Sequence, residues 1–168
     1  MPIFRMSNVP AKTLLVAGAL LLAPQIGWAA PAASAFGKFS GEWRGSGQVT
    51  GTDGKSESIT CRARYETSAS GESLTQALVC ASDSFRFDIR SNVVADGENA
   101  SGGWQETTRN VTGNLTGHIR DGDFEGNVSG VGFTAEVSLR LSGRKQDVVL
   151  TPHGGDVAKV QIVLSRAR

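Results

Sequence analysis

The sequence has few of the residue types from which active sites are commonly built. Its 168 residues include only two cysteines and two histidines, His118 and His153. These histidines stand far apart and form no H-E-x-x-H motif, so no clustered metal site is expected. Ser129 lacks the G-x-S-x-G spacing of a nucleophile elbow. We therefore expect no metal, no cofactor and no catalytic residues, and an enzyme of unknown class ranks last among the candidate functions.

Acidic residues are absent from the beginning of the chain, where the first is Glu42. The whole chain has 17 basic and 16 acidic residues, and residues 1–35 contain two of the basic ones and no acidic one. The remainder then has 15 basic and 16 acidic residues, a net charge of −1. A nearly neutral domain has no electrostatic reason to bind nucleic acid or anionic lipid.

The first 35 residues have the three-part pattern of a secretory signal peptide. Arg5 and Lys12 precede the apolar run 14–23, and small residues follow at 27–35. A membrane anchor is the alternative, but the run is far shorter than the roughly 20 residues of a spanning helix. We predict cleavage after Ala29 or Ala35, and a single mature domain of residues 36–168 that is periplasmic or secreted and not membrane-bound.

Helical periodicity is missing from the mature chain, whereas alternation with a period of two recurs. The predicted strands include one that begins near Phe39, another over 59–67 and a third over 104–111. Turns are predicted at the Asp-Gly pairs of residues 53–54, 96–97 and 121–122. The pattern favours an all-β fold, an antiparallel up-and-down barrel of about 8–10 strands. An outer-membrane barrel is the alternative, and charged residues opposite the apolar face disfavour it.

A disulfide between Cys61 and Cys80 is predicted by hairpin arithmetic. If the chain reverses at residues 70–71, opposed residues have numbers that sum to 141, and the two cysteines do so. The same register sets Tyr65 against Gln76 and keeps the apolar residues on one face. Opposed positions in an antiparallel pair lie within disulfide reach. A structural bridge in an oxidising compartment is therefore favoured over a redox pair.

The residues F-S-G-E-W-R-G-S-G at 39–47 resemble the opening strand of calycin-type barrels, the lipocalin and nitrobindin group. That resemblance implies that Trp43 lies across a closed end of the barrel. Nitrobindin-like proteins hold haem through a histidine. Here His118 is predicted to point outward and His153 to lie in a turn, so the resemblance does not extend to haem binding.

Two further resemblances concern export. The signal peptide, Trp43 and the Cys61–Cys80 pair together resemble small periplasmic inhibitors of secreted metalloproteases, in which an N-terminal tail enters the enzyme cleft. Residues ahead of Phe36 would form that tail. As a whole the chain is similar to small exported proteins of unknown function from alphaproteobacteria, which implies a compartment and no activity.

The candidate ligand-binding residues are those expected to face the barrel interior: Trp43, Tyr65, Phe85, Phe87, Trp104 and Glu106. A buried carboxylate needs a partner, and Arg44 or Arg109 would supply one for Glu106. The aromatic rings would either line a ligand site or fill a solid core. A cavity on the order of several hundred Å³ would favour the first alternative, and a filled interior would favour the inhibitor or another interface.

These observations favour an exported, non-catalytic barrel that binds a small, partly apolar molecule or a partner protein. The alternative is a protease inhibitor that acts through its N-terminal tail.

Native protein isolated from its host is expected to begin at residue 30 or 36 and to contain no free thiol. Intact-mass measurement and thiol titration under denaturing conditions check both points. Reduced cysteines in native material would contradict the predicted hairpin register and the predicted compartment.

Overall fold

Ten antiparallel strands form a closed barrel in the described part of the chain. The computed structural model describes residues 34–84 and 86–168, which belong to one compact unit, Ala32–Arg168. The first five strands are β1 Gly41–Gly51, β2 Ser56–Thr67, β3 Ser73–Ala81, β4 Arg86–Asp96 and β5 Asn99–Glu106. The last five are β6 Val111–Arg120, β7 Asp123–Gly130, β8 Phe133–Ser142, β9 Lys145–Pro152 and β10 Val157–Arg166.

Every strand pairs with its neighbour in sequence, and β1 also pairs with β10. The predicted all-β, up-and-down barrel is therefore confirmed. Closure gives each strand two partners and leaves no open sheet edge. Within residues 34–84 and 86–168, no helix is long and apolar enough to cross a bilayer. The predicted signal segment lies outside the described residues, apart from residues 34 and 35.

Side chains alternate between the barrel interior and solvent, as the period of two requires. In β2, for example, Ile59, Cys61, Ala63 and Tyr65 are buried, and the residues between them are exposed. The inward set of the ten strands forms a single apolar core.

The predicted disulfide hairpin is confirmed residue by residue. Cys61 lies opposite Cys80 and Tyr65 lies opposite Gln76 in the β2–β3 ladder. The two cysteines are joined by a disulfide bond across this pair. On the chain-entropy model, closing a loop of this length stabilises the fold by about 3 kcal/mol.

One predicted strand, 104–111, is interrupted. Residues 107–110 form a turn between β5 and β6, and Asn110 has a positive φ of 56°. The side chain of Glu106 accepts hydrogen bonds from the backbone amides of Thr108 and Arg109, which holds the turn in place. Glu106 and Val111 are five positions apart yet both face inward, so the alternation changes phase across this turn.

Residues 34–40, here called the plug segment, cover the end of the barrel at which β1 begins. Phe36 and Phe39 are buried there, and the amide of Phe36 donates to the Gly71 carbonyl at 2.9 Å. The first strand therefore begins at Gly41 and not at Phe39. We call this end the plugged end and the opposite one, where the β5–β6 and β7–β8 turns lie, the far end.

Glycines in the middle of β6 and β7 let the two strands approach closely. Gly117 and Gly126 are directly paired, and the Phe124 ring lies against both. A Cβ atom on Gly126 would lie 2.3 Å from the Thr116 carbonyl oxygen and 2.7 Å from the Phe124 ring. Only glycine fits this position without movement of the backbone.

Gly126→Ala is therefore expected to lower the free energy of unfolding by about 1–3 kcal/mol, as overpacking does. Gly103→Ala is the matched control, because a Cβ there would lie 3.7 Å from its nearest neighbour. The control is expected to be neutral or slightly stabilising. Urea unfolding curves measure both, and equal effects of the two substitutions would contradict the close approach of β6 and β7.

Candidate functional site

The barrel interior contains one described cavity, of about 110 Å³, beside the plug segment. Its wall combines aromatic rings with branched aliphatic side chains from eight strands and the plug. The lining residues are Phe36, Phe39, Tyr65, Leu74, Gln76, Leu78, Val93, Leu115, Ile119, Phe124, Val137, Leu139, Val148, Ile162 and Leu164. This space is smaller than the several hundred Å³ of a typical drug-sized site.

A row of polar side chains crosses this apolar interior. The Tyr65 hydroxyl donates to Gln146 Oε1 at 2.9 Å, and the Ser91 hydroxyl donates to Gln76 Oε1 at 3.2 Å. Burial raises the pKa of Tyr65 to about 12, and hydrogen bonds to Gln146 and Gln76 act in the opposite direction. Tyr65 therefore remains a neutral phenol at physiological pH.

The side-chain amide of Gln146 is only half satisfied. Gln146 is fully buried, and its Nε2 finds no hydrogen-bond partner among the described residues. Two residues of the cavity wall flank it: Val148 follows on the inner face of β9, and Leu164 is paired with it on β10. An unpaired buried donor costs about 1–3 kcal/mol, so a hydrogen-bond acceptor placed here would be stabilising.

The predicted site residues do not form one cluster. Among those that the structure describes, Tyr65 alone lines the cavity. Trp43 lies at the plugged end, fully buried, and its Nε1 donates to the Phe39 carbonyl at 2.8 Å. The Arg166 guanidinium lies 4.7 Å from the centre of the Trp43 ring and donates to the Ser40 carbonyl at 2.6 Å. Trp43 and Arg166 thereby join the plug segment to both closing strands.

Three other predicted residues, Phe87, Trp104 and Glu106, lie at the far end. Trp104 contacts the Phe133 ring edge-on at 6.0 Å between centroids and donates from Nε1 to the Ser129 carbonyl at 3.2 Å. Phe87 is half-buried and paired with Cys80. Phe85 lies outside the described residues. The separation of these positions from Tyr65 leaves their role in ligand binding a prediction.

Glu106 is buried at the far end, and its carboxylate is fully engaged. Besides the two turn amides, it accepts hydrogen bonds from the Asp88 amide at 3.1 Å and from the Thr108 hydroxyl. Arg109 Nη1 lies 3.6 Å from Oε2, so Arg109, one of the two partners expected from the sequence, is an ion-pair partner. Burial acts to raise the pKa of Glu106, but these hydrogen bonds outweigh it and hold the pKa at about 2.

The two histidines lie apart on the surface. His118 points outward from β6, and His153 lies in the loop after β9, with Nε2 at 3.7 Å from Glu136. Within the described ranges, no three His, Cys, Asp or Glu side chains come together in a group that could hold a metal ion.

Sequence reasoning missed several residues of the cavity wall. Phe36 was taken for the start of the domain and Phe39 for strand, yet both form the floor of the cavity. Gln146 was assigned to a strand without a role. The signal that could have found it is its place in the inward set of β9, since a buried amide requires partners.

The fold defines the class of protein, a closed up-and-down barrel, and solved structures agree with this. The chain is similar to the crystal structure of Rv2717c from M. tuberculosis, with a TM-score of 0.66 and 14% identity. That match covers 83% of this chain and 99% of the other.

Two further structures share the fold. The S-type phycobiliprotein lyase CPES from Guillardia theta matches with a TM-score of 0.59 at 12% identity, over 79% of this chain and 90% of the lyase. A DUF3598-family protein of unknown function from Nostoc punctiforme matches with a TM-score of 0.58 at 14% identity. That match covers 77% of this chain and 48% of the other protein.

No protein-family model and no curated protein matches the sequence. The neighbours are barrels, in agreement with the calycin-like interpretation, and at these identities they show the fold alone. The resemblance to exported alphaproteobacterial proteins stays a prediction.

Glu106→Gln is expected to lower the free energy of unfolding at pH 7 by about 2 kcal/mol, because hydrogen bonds to a charged acceptor are lost or weakened. The pKa of Glu106 falls on folding from its ordinary value of 4.5 to about 2. Its ionised form therefore stabilises the fold above pH 4.5, and this contribution is lost as the pH falls towards 2.

The measurement is a series of urea unfolding curves between pH 7 and pH 2. The acid-induced loss of stability is expected to be shallower in Glu106→Gln than in the unmodified protein. Glu42→Gln, at an exposed carboxylate, is the control and should leave the curve unchanged. If the free energy of unfolding fell equally between pH 4.5 and pH 2 in all three proteins, Glu106 would not stabilise the fold.

Proposed function

We propose that this protein is an exported, non-catalytic barrel that binds a small, largely apolar ligand in its interior cavity. The observation that carries the proposal is the apolar cavity beside the plug segment, whose lining includes the polar residues Tyr65 and Gln76. An enclosed apolar space offers burial to a ligand, and a lone polar group fixes its orientation.

The size of the cavity limits the ligand. At about 110 Å³ it is too small for a pigment or a lipid, but it approaches the engineered cavity of about 150 Å³ that binds benzene. A ligand with one ring or a short branched chain fits this space. Tyr65 and Gln76 offer polar contacts at the wall to a single polar atom of that ligand.

Export is supported by the signal-like N-terminus and by the disulfide. Cys61 and Cys80 are bonded, and such bonds persist in oxidising compartments. One structural neighbour is named as a phycobiliprotein lyase, which supports a role in recognising another molecule. The alternative of a protease inhibitor depends on residues ahead of Phe36. These lie outside the described residues apart from residues 34 and 35, so that function stays a prediction.

Phenol, which combines one ring with one hydroxyl, is the probe that tests the proposal. In a titration followed by amide and side-chain NMR shifts, saturable binding is expected with a Kd of about 0.1–1 mM. The shifts should centre on Tyr65 and on the Gln146 side-chain amide. Absence of saturation, or shifts confined to the outer surface, would contradict an interior site.

Leu115→Phe fills the cavity and is expected to abolish this binding, because the larger ring occupies the same space. Val94→Phe makes the same kind of change on the outer surface, where Val94 is 57% exposed, and is expected to bind phenol normally. Leu78→Phe is a second filling variant, in case the first unfolds. Phenol binding that survives in a folded filling variant would overturn the proposal.

A further inference from the structure

A second concavity, larger than the interior cavity, lies on the outer surface of the barrel. A groove of about 830 Å³ runs over the outer face of β5 to β9. Ala100, Gly117 and Gly126 lie beneath it, at inward-facing positions that carry only a methyl group or no side chain. Because the strands pack closely over these residues, the outer face of the sheet is concave at this point.

Two cross-strand rows of outward side chains form the groove. The first row is Ser101, Thr116, Asn127, Glu136 and Thr151, each directly paired with the next. The second row is Asn99, His118, Glu125, Ser138 and Val149, in the same register. At a strand spacing of about 4.8 Å, five strands give each row a length of about 19 Å. The groove therefore suits an extended ligand.

The side chains of these rows leave their hydrogen-bonding groups available. Within residues 34–84 and 86–168, the hydroxyls of Thr116 and Thr151 and the amide of Asn127 make no hydrogen bond to another protein group. By contrast Thr75 and Asn92, the corresponding outward pair on β3 and β4, bond to each other at 3.1 Å. Hydroxyl and amide groups both donate and accept, as the hydroxyls of a ligand also do.

The charges at the groove exclude other ligand classes. The lining includes no lysine or arginine, the side chains that most often hold a phosphate or a sulfate in proteins. Its two carboxylates already have basic neighbours at 3.7 Å, Arg140 for Glu125 and His153 for Glu136. The groove thus offers mainly hydrogen-bonding groups, while Val149 and the threonine methyl groups offer apolar contact to C–H surfaces.

We infer that this outer groove is a second binding site, separate from the interior cavity, and that it takes a neutral, hydroxyl-rich chain of the oligosaccharide class. A neutral saccharide matches the alternating donors and acceptors of the two rows and needs no counter-charge. The site depends on the outer face of β5 to β9 alone, so it stands or falls independently of ligand binding inside the barrel.

The test uses maltohexaose, cellohexaose and chitohexaose as neutral probes and a chondroitin sulfate hexasaccharide as the anionic comparison. Amide NMR titrations of the full domain are expected to show saturable shifts for at least one neutral probe, confined to β5–β9, and none for the sulfated one. No shift in these strands with any neutral probe at about 10 mM, a weak-binding limit, would overturn the inference.

Matched double variants locate the site. Thr116→Ala with Asn127→Ala removes a paired threonine and asparagine from the groove, and two lost hydrogen bonds are expected to weaken binding about tenfold. Thr75→Ala with Asn92→Ala removes the same residue types from β3 and β4 and should leave the affinity unchanged. Equal effects of both variants, or equal binding of the sulfated probe, would also overturn the inference. Leu115→Phe, which fills the interior, should leave saccharide binding intact.

Discussion

The pairing of β1 with β10 is the contact on which the whole barrel depends. Gly45 and Gly47 face inward along β1, and a Cβ at either would lie within 2.3 Å of a β10 carbonyl oxygen. The first and last strands can therefore meet only where β1 carries no side chain. Without this closure, β1 and β10 would each expose a row of unpaired backbone groups. Arg166 and Trp43 then secure the same seam at the plugged end.

The close approach of strands also explains why so little of the interior is empty. Glycine and alanine occupy many inward positions of β5 to β7, so this wall lies near the barrel axis and the Phe124 and Trp104 rings lie on its backbone. The small residues of this wall thus leave room for large aromatic rings inside the barrel. The space that remains is a pocket beside the plug segment and not a channel. The same packing makes the outer face of β5 to β9 concave. The interior cavity and the outer groove therefore have the same structural cause, the small residues of these strands.

Polar groups in the core are placed unevenly. At the far end Glu106 is surrounded by donors and stabilises a turn, whereas near the plugged end Gln146 retains a donor without a partner. Buried polar groups are normally satisfied, so a fully bonded carboxylate is most simply a structural element. A half-bonded amide next to a cavity is where recognition of a ligand is expected. This contrast argues for the region around Tyr65 rather than the region around Trp104.

Local sequence determined much of this architecture. Alternation with a period of two, Asp-Gly turns and the spacing of Cys61 and Cys80 were sufficient to predict an antiparallel barrel and the register of β2 and β3, because strand pairing across short turns is a local property. The same information could not place Tyr65, Gln146 and the phenylalanines of the plug segment around one cavity, since they are far apart in the chain. It also could not show that exposed Thr116 and Asn127 line a groove, because curvature arises only when ten strands close on each other. Strand identity was thus determined by the sequence, and the shape of both candidate sites was decided by closure of the barrel.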